Sequence, residues 1–231
     1  MKILAVDCSA GPASCAIVED GKIIASSYIN VQLTHSQTML PMIKEMLSSS
    51  LVNLEDIDAF AINSGPGSFT GIRIGISAIK GLAAPKDTPC YEISTLDSIA
   101  QCFAGFDCTL CAVMDARCNQ VYNRIYKIQK GEILPLTENR AVMVDEVEKE
   151  LEEVQDKVII AGDGAKLFKA FAEQKDNVDL AKEPYSFQNA VGTALAAEKL
   201  SLVSKGISQT YLKPFYLRLP QAERELKEKK K

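Results

Sequence analysis

The sequence predicts an α/β protein of two lobes with a cleft between them, built from a duplicated βββαβα unit. Three observations carry this. The order strand–turn–strand–turn–strand–helix that opens the chain returns from about residue 106. The first strand of each half ends on an acid, Asp7 in "AVDCSAG" and Asp115 in "VMDARCN". Each half places a tight hairpin turn between its second and third strands, "EDGK" at 19–22 and "QKGE" at 129–132. Residues 1–105 are expected to form an N-terminal lobe and 106–220 a C-terminal lobe, with 221–231 as a disordered tail. A chain of 231 residues can bury a core in each.

The elements follow in order. "KILAVDCS", "SCAIVED" and "KIIASSYINV" are strands, and a helix covers "HSQTMLPMIKEMLSSS". Pro41 kinks that helix or marks its true start, because it lacks the N–H the ladder needs. The strand "DAFAINS" leads through a Gly-rich loop into the helix "TGIRIGISAIKGLAA". Pro85 and Pro89 bracket the exit, ahead of the strand "CYEIST" and a helix from about Leu96. The second half reads as the strands "CTLCAVMDAR", "QVYNRIYKIQ" and "EILPLTENRAVM". There follow the helix "VDEVEKELEEVQD", the strand "KVIIAGDGA" and a helix to about Lys175. A last helix runs from about Gln188 to Ser204, before "TYLKPFYLRLP".

Composition excludes several classes. The net charge is −4, and the only basic concentration is "RELKEKKK" from Arg224, interleaved with Glu. Affinity for nucleic acid comes from clustered Lys and Arg, so the chain is a poor stand-alone nucleic-acid binder. No apolar run is long enough to cross a bilayer. Seven scattered cysteines fit reduced thiols in a cytoplasmic protein. Cys108 and Cys111 form a C-x-x-C, but residues three apart on a strand point to opposite faces and cannot close on one metal.

The loop "NSGPGSFTGIRIG", Asn63 to Gly75, raises the question of phosphate binding. A P-loop needs G-x-x-x-x-G-K-[ST], and here Ile-Arg stands where Lys-Ser should be. A dinucleotide loop needs G-x-G-x-x-G, and the third glycine comes one residue late. Pro66 removes a backbone donor. The stretch reads instead as a tight strand-to-helix turn with Ser68 or Thr70 as N-cap. On the helix that follows, Ile72, Ile76, Ile79 and Ala83 share one side, with Gly71, Gly75, Ala78 and Leu82 beside them. Only Arg73, Ser77 and Lys80 form a polar strip. Apolar surface covers roughly 200°, against about 100° for an ordinary surface helix. Gly75 in mid-helix costs about 1 kcal/mol relative to Ala. Either the helix packs only within its own lobe, or one face meets the sheet and the small-residue seam meets a partner. Met39, Met42 and Met46, at i, i+3 and i+7 on the first helix, favour the second reading, Met being common on adaptable binding surfaces.

"ILAVDCSAGPASCAIVEDGKIIAS", "HSQTMLPMI", "INSGPGSFTGIRIGISAIKGLA", "MDARCNQVY" and "PFYLR" together resemble the TsaB (YeaZ) family of bacterial tRNA threonylcarbamoyladenosine (t6A) biosynthesis proteins. The resemblance covers most of residues 1–220 and is densest from 1 to 125. It implies the fold shared by actin, Hsp70 ATPases and sugar kinases. It implies a non-catalytic scaffold that binds and activates its paralogue TsaD, with the ATPase TsaE as third member of the assembly. That assembly places a threonylcarbamoyl group on adenosine 37 of tRNA, which this chain would meet only through the complex. Without TsaD a homodimer is implied. The two N-lobe helices form the contact, so the implied interface residues are His35, Met39, Met42, Ile43, Met46, Gly71, Ile72, Gly75, Ile76 and Ile79.

The residues test the implied chemistry. The catalytic paralogue carries an H-x-x-x-H pair on the first helix, both imidazoles holding metal. Here His35 is the chain's one His and Met39 stands four residues on, so no metal is expected. In this fold phosphates lie on the turns after the first strand of each lobe, where glycine lets the backbone approach. "DCSAGPAS" offers Gly11 followed by Pro12, and "DARCNQ" offers no glycine. In "AGDGA" the carboxylate of Asp163 would repel phosphate. The candidate contacts are therefore a degraded set: Asp7, Ser9, Asp115, Gly162 and Gly164. Alternatively Asp7 and Asp115 only cap strand ends. No intrinsic cofactor is expected, with ATP or ADP entering only in the assembled complex. A rival reading is an active ATPase or small-molecule kinase of this fold, against which the glycine-poor turns argue. A metallopeptidase is disfavoured by the single His.

Overall fold

The computed structural model describes residues 1–31 and 33–218. The charged tail from residue 221 lies outside them. The first half forms β1 (Lys2–Asp7), β2 (Ala13–Glu19), β3 (Lys22–Ile29), α1 (His35–Ser50), β4 (Ala59–Gly65), α2 (Phe69–Ala83), β5 (Cys90–Ser94) and α3 (Thr95–Cys102). The second forms β6 (Cys108–Arg117), β7 (Gln120–Gln129), β8 (Glu132–Pro135), β9 (Arg140–Met143), α4 (Val144–Glu152), β10 (Val158–Ala161), α5 (Lys169–Ala172), β11 (Val178–Leu180) and α6 (Ala190–Ser201).

The two sheets share one plan. The first has the order β3-β2-β1-β4-β5, the second β8-β7-β6-β10-β11, with β9 also on β7. In each, the first three strands pair antiparallel in sequence, and the last two join in parallel after helical crossovers. This is the α/β, two-sheet architecture that the repeat in the sequence predicts.

The run expected as one strand over 132–143 is two. β8 pairs with Tyr126–Gln129 and β9 with Gln120–Asn123. Pro135 carries no N–H to continue a ladder, and in the gap Thr137 Oγ1 accepts from Ile125 N at 2.9 Å. The helix expected to reach Lys175 shrinks to a 3-10 turn, Ala165–Phe168, and the single turn of α5. The three residues of β11 are too few to show a period in sequence. α1 neither starts nor breaks at Pro41. The donor that Pro41 lacks would have met the carbonyl of Gln37, on the exposed side where water serves it.

Four apolar clusters, one on each face of each sheet, position the site. α1 and α2 cover the outer face of the first sheet, joining Met39, Ile43, Ile72 and Ile79 to Leu4, Val6, Ile17 and Ile62. Each such fully buried side chain contributes about 1.5–3 kcal/mol. α4 and the 165–172 segment cover the outer face of the second sheet. The inner helices are exchanged. α6, from the second half, lies on the first sheet through Ala190, Ala194 and Ala197. α3, from the first half, lies on the second sheet through Leu96, Ile99 and Phe103. A division at residue 105 therefore separates the sheets but not the inner helices.

α3 and α6 cross closely, since a Cβ on Gly192 would stand 2.2 Å from the Ser98 carbonyl oxygen. Their crossing is tied by Ser98 Oγ to Thr193 Oγ1 at 3.0 Å and Thr193 Oγ1 to Asn63 Oδ1 at 3.0 Å. After α6 the chain returns to the first lobe: Ile207 bridges Cys90 and Leu212 enters the core beside α2. Cys108 and Cys111 fall in cores on opposite faces of β6, and burial pushes the Cys111 thiol up to about 12. Among the described residues, no helix is long and apolar enough to cross a membrane.

Candidate functional site

The loop that opens α2 is built for close packing. Ser68 is the N-cap, its Oγ accepting from Gly71 N at 3.2 Å, while its own N–H donates to Ser9 O at 2.7 Å. A Cβ on Gly67 would lie 2.3 Å from Ser9 O, on Gly71 2.0 Å from Cys8 O, and on Gly65 2.3 Å from Phe215 O. The glycines thus let three backbones meet: the turn after β1, the start of α2 and the returning C-terminal segment. Gly75 belongs to the same seam, where a Cβ would lie 2.7 Å from Ile62 Cδ1 of β4. Its close neighbour is the lobe's own sheet, which corrects the expectation of a partner seam. Helix and sheet approach closely because the side chain between them is missing.

The interface residues read from the sequence shift accordingly. Met39, Met42, Ile43, Met46, Ile72, Ile76 and Ile79 are all buried in the first lobe, and Gly71 and Gly75 lie under them. A wheel shows one wide apolar arc, and its centre faces the sheet. His35 is half-buried: its Nε2 is 2.8 Å from the Ala10 carbonyl, tying α1 to the turn after β1, and its ring backs onto Gly71. The accessible surface lies about one residue further round. Ser36 and Leu40 of α1 face Phe69, Arg73, Ile74 and Ala78 of α2 across a groove of about 550 Å³, and of the residues read from the sequence His35 and the buried Met39 also line it. Leu40 is 52% exposed there. The Met phase on α1 points away from Leu40, so the periodicity does not mark it. The C-terminal segment braces two of these residues: Tyr216 packs on Phe69 at 4.6 Å between ring centroids, and its hydroxyl accepts from Arg73 Nε at 2.8 Å.

A cleft of about 480 Å³ lies between the lobes. Ser9, Gly11 and Phe69 line it from the first lobe, and Asp115, Arg117, Asp163 and Lys166 from the second. Asp7 is not among them. Its carboxylate is 1% exposed and turns back to accept from Ser9 N at 2.8 Å and Ser9 Oγ at 2.6 Å. Burial pushes its pKa up, against the pull of the Ser9 bonds. Asp115 repeats the device: it accepts from Arg117 N at 2.8 Å, while its own N–H donates to Asp163 Oδ1 at 2.8 Å. Both acids hold the turn that follows their strand, as the capping alternative has it. Burial first, and then the Asp115 carboxylate, raise Asp163 to about 6, against the pull of the Asp115 N–H.

Gly162, with φ +111°, and Gly164 face β6, a Cβ on them standing 2.0 Å from Val113 O and 3.0 Å from Met114 C. They seat their loop on the strand. Arg117, Cys118 and Asn119 all adopt left-handed backbone, with φ 66°, 54° and 56°. Of the set read from the sequence, Ser9 and Asp115 line the cleft, while Gly162 and Gly164 flank the lining residue Asp163 and do not line it; Asp115 and Asp163 stand with Arg117 and Lys166, two carboxylates with two cations. Lys166 follows Gly164 by two residues, and Tyr216 and Arg218 lie in the "PFYLR" stretch, but the stretch marks the family and not where these side chains reach.

The comparisons with known proteins agree with this geometry. A family model described as TsaD, tRNA N6-adenosine threonylcarbamoyltransferase, matches residues 24–223. The TsaB protein of Haemophilus influenzae, named a tRNA threonylcarbamoyladenosine biosynthesis protein, is 32% identical over 230 residues, 94% of each chain. That of Bacillus subtilis is 29% identical, over 75% of this chain and 76% of its own. A tRNA N6-adenosine threonylcarbamoyltransferase of Kosmotoga olearia is 30% identical over 46% of this chain and 36% of its own. Among solved structures, YeaZ from Pseudomonas aeruginosa superposes with a TM-score of 0.78 at 27% identity, over 94% of this chain and 99% of that one. A component of the Acidaminococcus fermentans (R)-2-hydroxyglutaryl-CoA dehydratase, at 15% identity and a TM-score of 0.50, covers 87% and 99% and shows the fold alone. The fold is thus the two-sheet α/β type of YeaZ, and the chain belongs to the TsaB (YeaZ) family of tRNA threonylcarbamoyladenosine biosynthesis proteins.

Proposed function

We propose that this chain serves t6A biosynthesis as an accessory, non-catalytic subunit that docks on a TsaD-type paralogue through the groove between α1 and α2. The paralogue carries out the transfer to adenosine 37, and docking activates it. The observation that carries this reading is the groove: two long helices expose Leu40 and the half-buried Phe69, Ile74 and Ala78 between polar Ser36, Arg73 and Ser77. Apolar surface framed by polar residues suits association. A TsaD-type chain is a fitting occupant because the TsaD family model matches this chain over both helices. The paralogue therefore brings equivalent helices, and two such faces pack about a pseudo-twofold axis. The same argument gives a homodimer when the paralogue is absent. A TsaE-type ATPase and tRNA join through the assembly, in the cytoplasm.

The cleft supports an accessory role. Its second-lobe turn presents side chains at Arg117, Cys118 and Asn119 where a phosphate needs bare backbone. His35 is engaged with the Ala10 carbonyl. The chain then holds no metal or nucleotide of its own, and ATP or ADP enters only with the assembly.

The test is Leu40→Glu, with Ser77→Arg as a second variant. Both positions are exposed, so the monomer keeps its melting temperature. A desolvated, unpaired charge costs several kcal/mol, so affinity for a purified TsaD-type paralogue should fall by more than about 100-fold in calorimetry. Affinity within a factor of two of wild type for both variants overturns the groove. ATP turnover by the isolated chain, lost in Asp115→Ala, would instead favour an active kinase or ATPase.

A further inference from the structure

We infer that the C-terminal segment 207–218 is a strap that forms part of the docking surface and couples it to the interlobe cleft, with Tyr216 as the contact residue and Arg218 as a positioning residue. The inference rests on the groove reading above and adds a regulatory route to it.

The strap is fastened along its whole length. Ile207 exchanges backbone hydrogen bonds with Cys90 at 2.8 and 2.9 Å. Lys213 N donates to Glu92 Oε1 at 2.5 Å, and Phe215 N donates to Ser64 O at 2.8 Å. Gly65 leaves the space the Phe215 carbonyl occupies. These bonds fix residues 207–215 to the first lobe. Tyr216 then turns toward α2, stacking on Phe69 and accepting from Arg73, whose guanidinium lies 5.7 Å from its ring.

The next two residues cross to the other lobe. Leu217 packs against the core under the second sheet, and Arg218 Nη1 donates to the Ala116 carbonyl at 3.0 Å. Ala116 lines the cleft, one residue from both Asp115 and Arg117. Phe69 lines the cleft and the groove at once. A change in cleft width therefore moves Arg218 relative to Tyr216, and Tyr216 holds two residues of the partner groove. Coupling of this kind is reciprocal, so a partner seated on the groove must also tighten the cleft turn.

Four variants and two readouts test it. Arg218→Ala, which lies outside the groove lining, should weaken binding of the purified TsaD-type paralogue about tenfold, within the scale of one hydrogen bond to a charged group, while a thermal melt shows the variant still folded. Tyr216→Ala should weaken it more, and Tyr216→Phe should restore part of the loss by keeping the ring on Phe69. In hydrogen exchange, the paralogue should slow the amides of residues 115–119 in wild type but not in Arg218→Ala, a response that simple loss of contact would not give. If Leu40→Glu abolishes binding while Arg218→Ala binds within a factor of two of wild type and exchange at 115–119 ignores the partner, the strap inference falls and the groove stands. If Leu40→Glu itself binds normally, both fall.

Discussion

The two lobes have the same sheet order and differ in what covers their outer faces. The first carries two long helices, α1 of 16 residues and α2 of 15. The second carries α4 of 9 residues and α5 of 4. α4 turns Val144, Val147 and Leu151 inward and leaves Asp145, Glu146, Lys149 and Glu150 outside, an ordinary solvated face. α1 and α2 leave a groove with apolar side chains in it. The sheets and the inner helices, α3 and α6, keep the duplicated plan, while the outer layer carries the specialisation. The glycine seam makes the difference possible. It draws α2 down onto β1 and β4, so the helix satisfies the core with one side and still offers Phe69, Ile74 and Ala78 on the other.

The sharpest way to break that comparison is to fill the seam. Gly75→Ala gains about 1 kcal/mol of helix propensity. Its Cβ would sit 2.7 Å from Ile62 Cδ1, and overpacking of this kind costs about 1–3 kcal/mol. Gly75→Leu, larger still, should lose about 3 kcal/mol net. Gly71→Ala should be as damaging, because the obstacle at 2.0 Å is the Cys8 carbonyl, which cannot rotate away. Gly81 is the control in the same helix. Nothing lies within 4 Å of the place a Cβ would take there, so Gly81→Ala should stabilise by roughly the propensity difference. Urea unfolding curves of these variants check the ranking. Loss of partner binding by a fully stable Gly75→Leu would return the seam to the partner surface.

The sequence made the sheets legible because β1, β4 and β6 are short apolar runs ended by polar or glycine residues, and the hairpin turns fix their neighbours. It made the start of α2 legible to within a residue or two, with Ser68 and Thr70 as cap candidates, of which Ser68 is the N-cap. It made the apolar helix arcs legible but not their orientation. Periodicity tells which residues share a side, and only the third dimension tells whether that side meets a sheet or a partner. So Met39, Met42 and Met46 look like a contact stripe and are core, with only Met39 reaching the groove floor, while Leu40, outside the stripe, is accessible. The cleft was half legible. Asp7 and Asp115 stand out as matched strand ends, yet their bonds to residues two places on show in the backbone, not in the sequence. The strap lies beyond the sequence reading: "PFYLR" marks Tyr216 as part of a family stretch, but its contact with Phe69 spans 147 positions of chain and no spacing rule pairs the two.

A second contrast between the lobes is titratable. The loop leaving β4 is Ser-Gly-Pro-Gly-Ser, with no acid, whereas the loop leaving β10 holds Asp163, raised to about 6. An unfolded Asp titrates near 4. Below about 4 both states hold the proton, and the native state has its full advantage there. Between 4 and 6 the unfolded chain has released the proton while the native one retains it, so the contribution falls as pH rises. Above 6 it is gone. By linkage the span is worth about 3 kcal/mol. Asp163→Asn keeps an oxygen to accept from Asp115 N and removes the charge. It should flatten the stability profile between pH 4 and 6 and raise stability at pH 7 by about 1–2 kcal/mol. Unfolding midpoints across that range check it, and a parallel profile for wild type and variant would show that Asp163 is ionised without cost.

The smallest expected effect lies at the turn after β6. In the first lobe the matching turn passes through Ser9, Ala10 and Gly11. None of the three has positive φ. In the second, Arg117, Cys118 and Asn119 hold left-handed backbone in succession. For a side-chain-bearing residue that conformation costs about 1–2 kcal/mol, less for Asn, and Gly avoids it. Cys118 is exposed, with no core contact to lose. Cys118→Gly gives up some stability through the freer unfolded chain, so the net gain should be about 0.5–1 kcal/mol. Thermal melts at matched concentration resolve that difference. A destabilised Cys118→Gly would mean that this side chain holds the turn in place, and the turn would then be a built feature of the second lobe rather than a strained one.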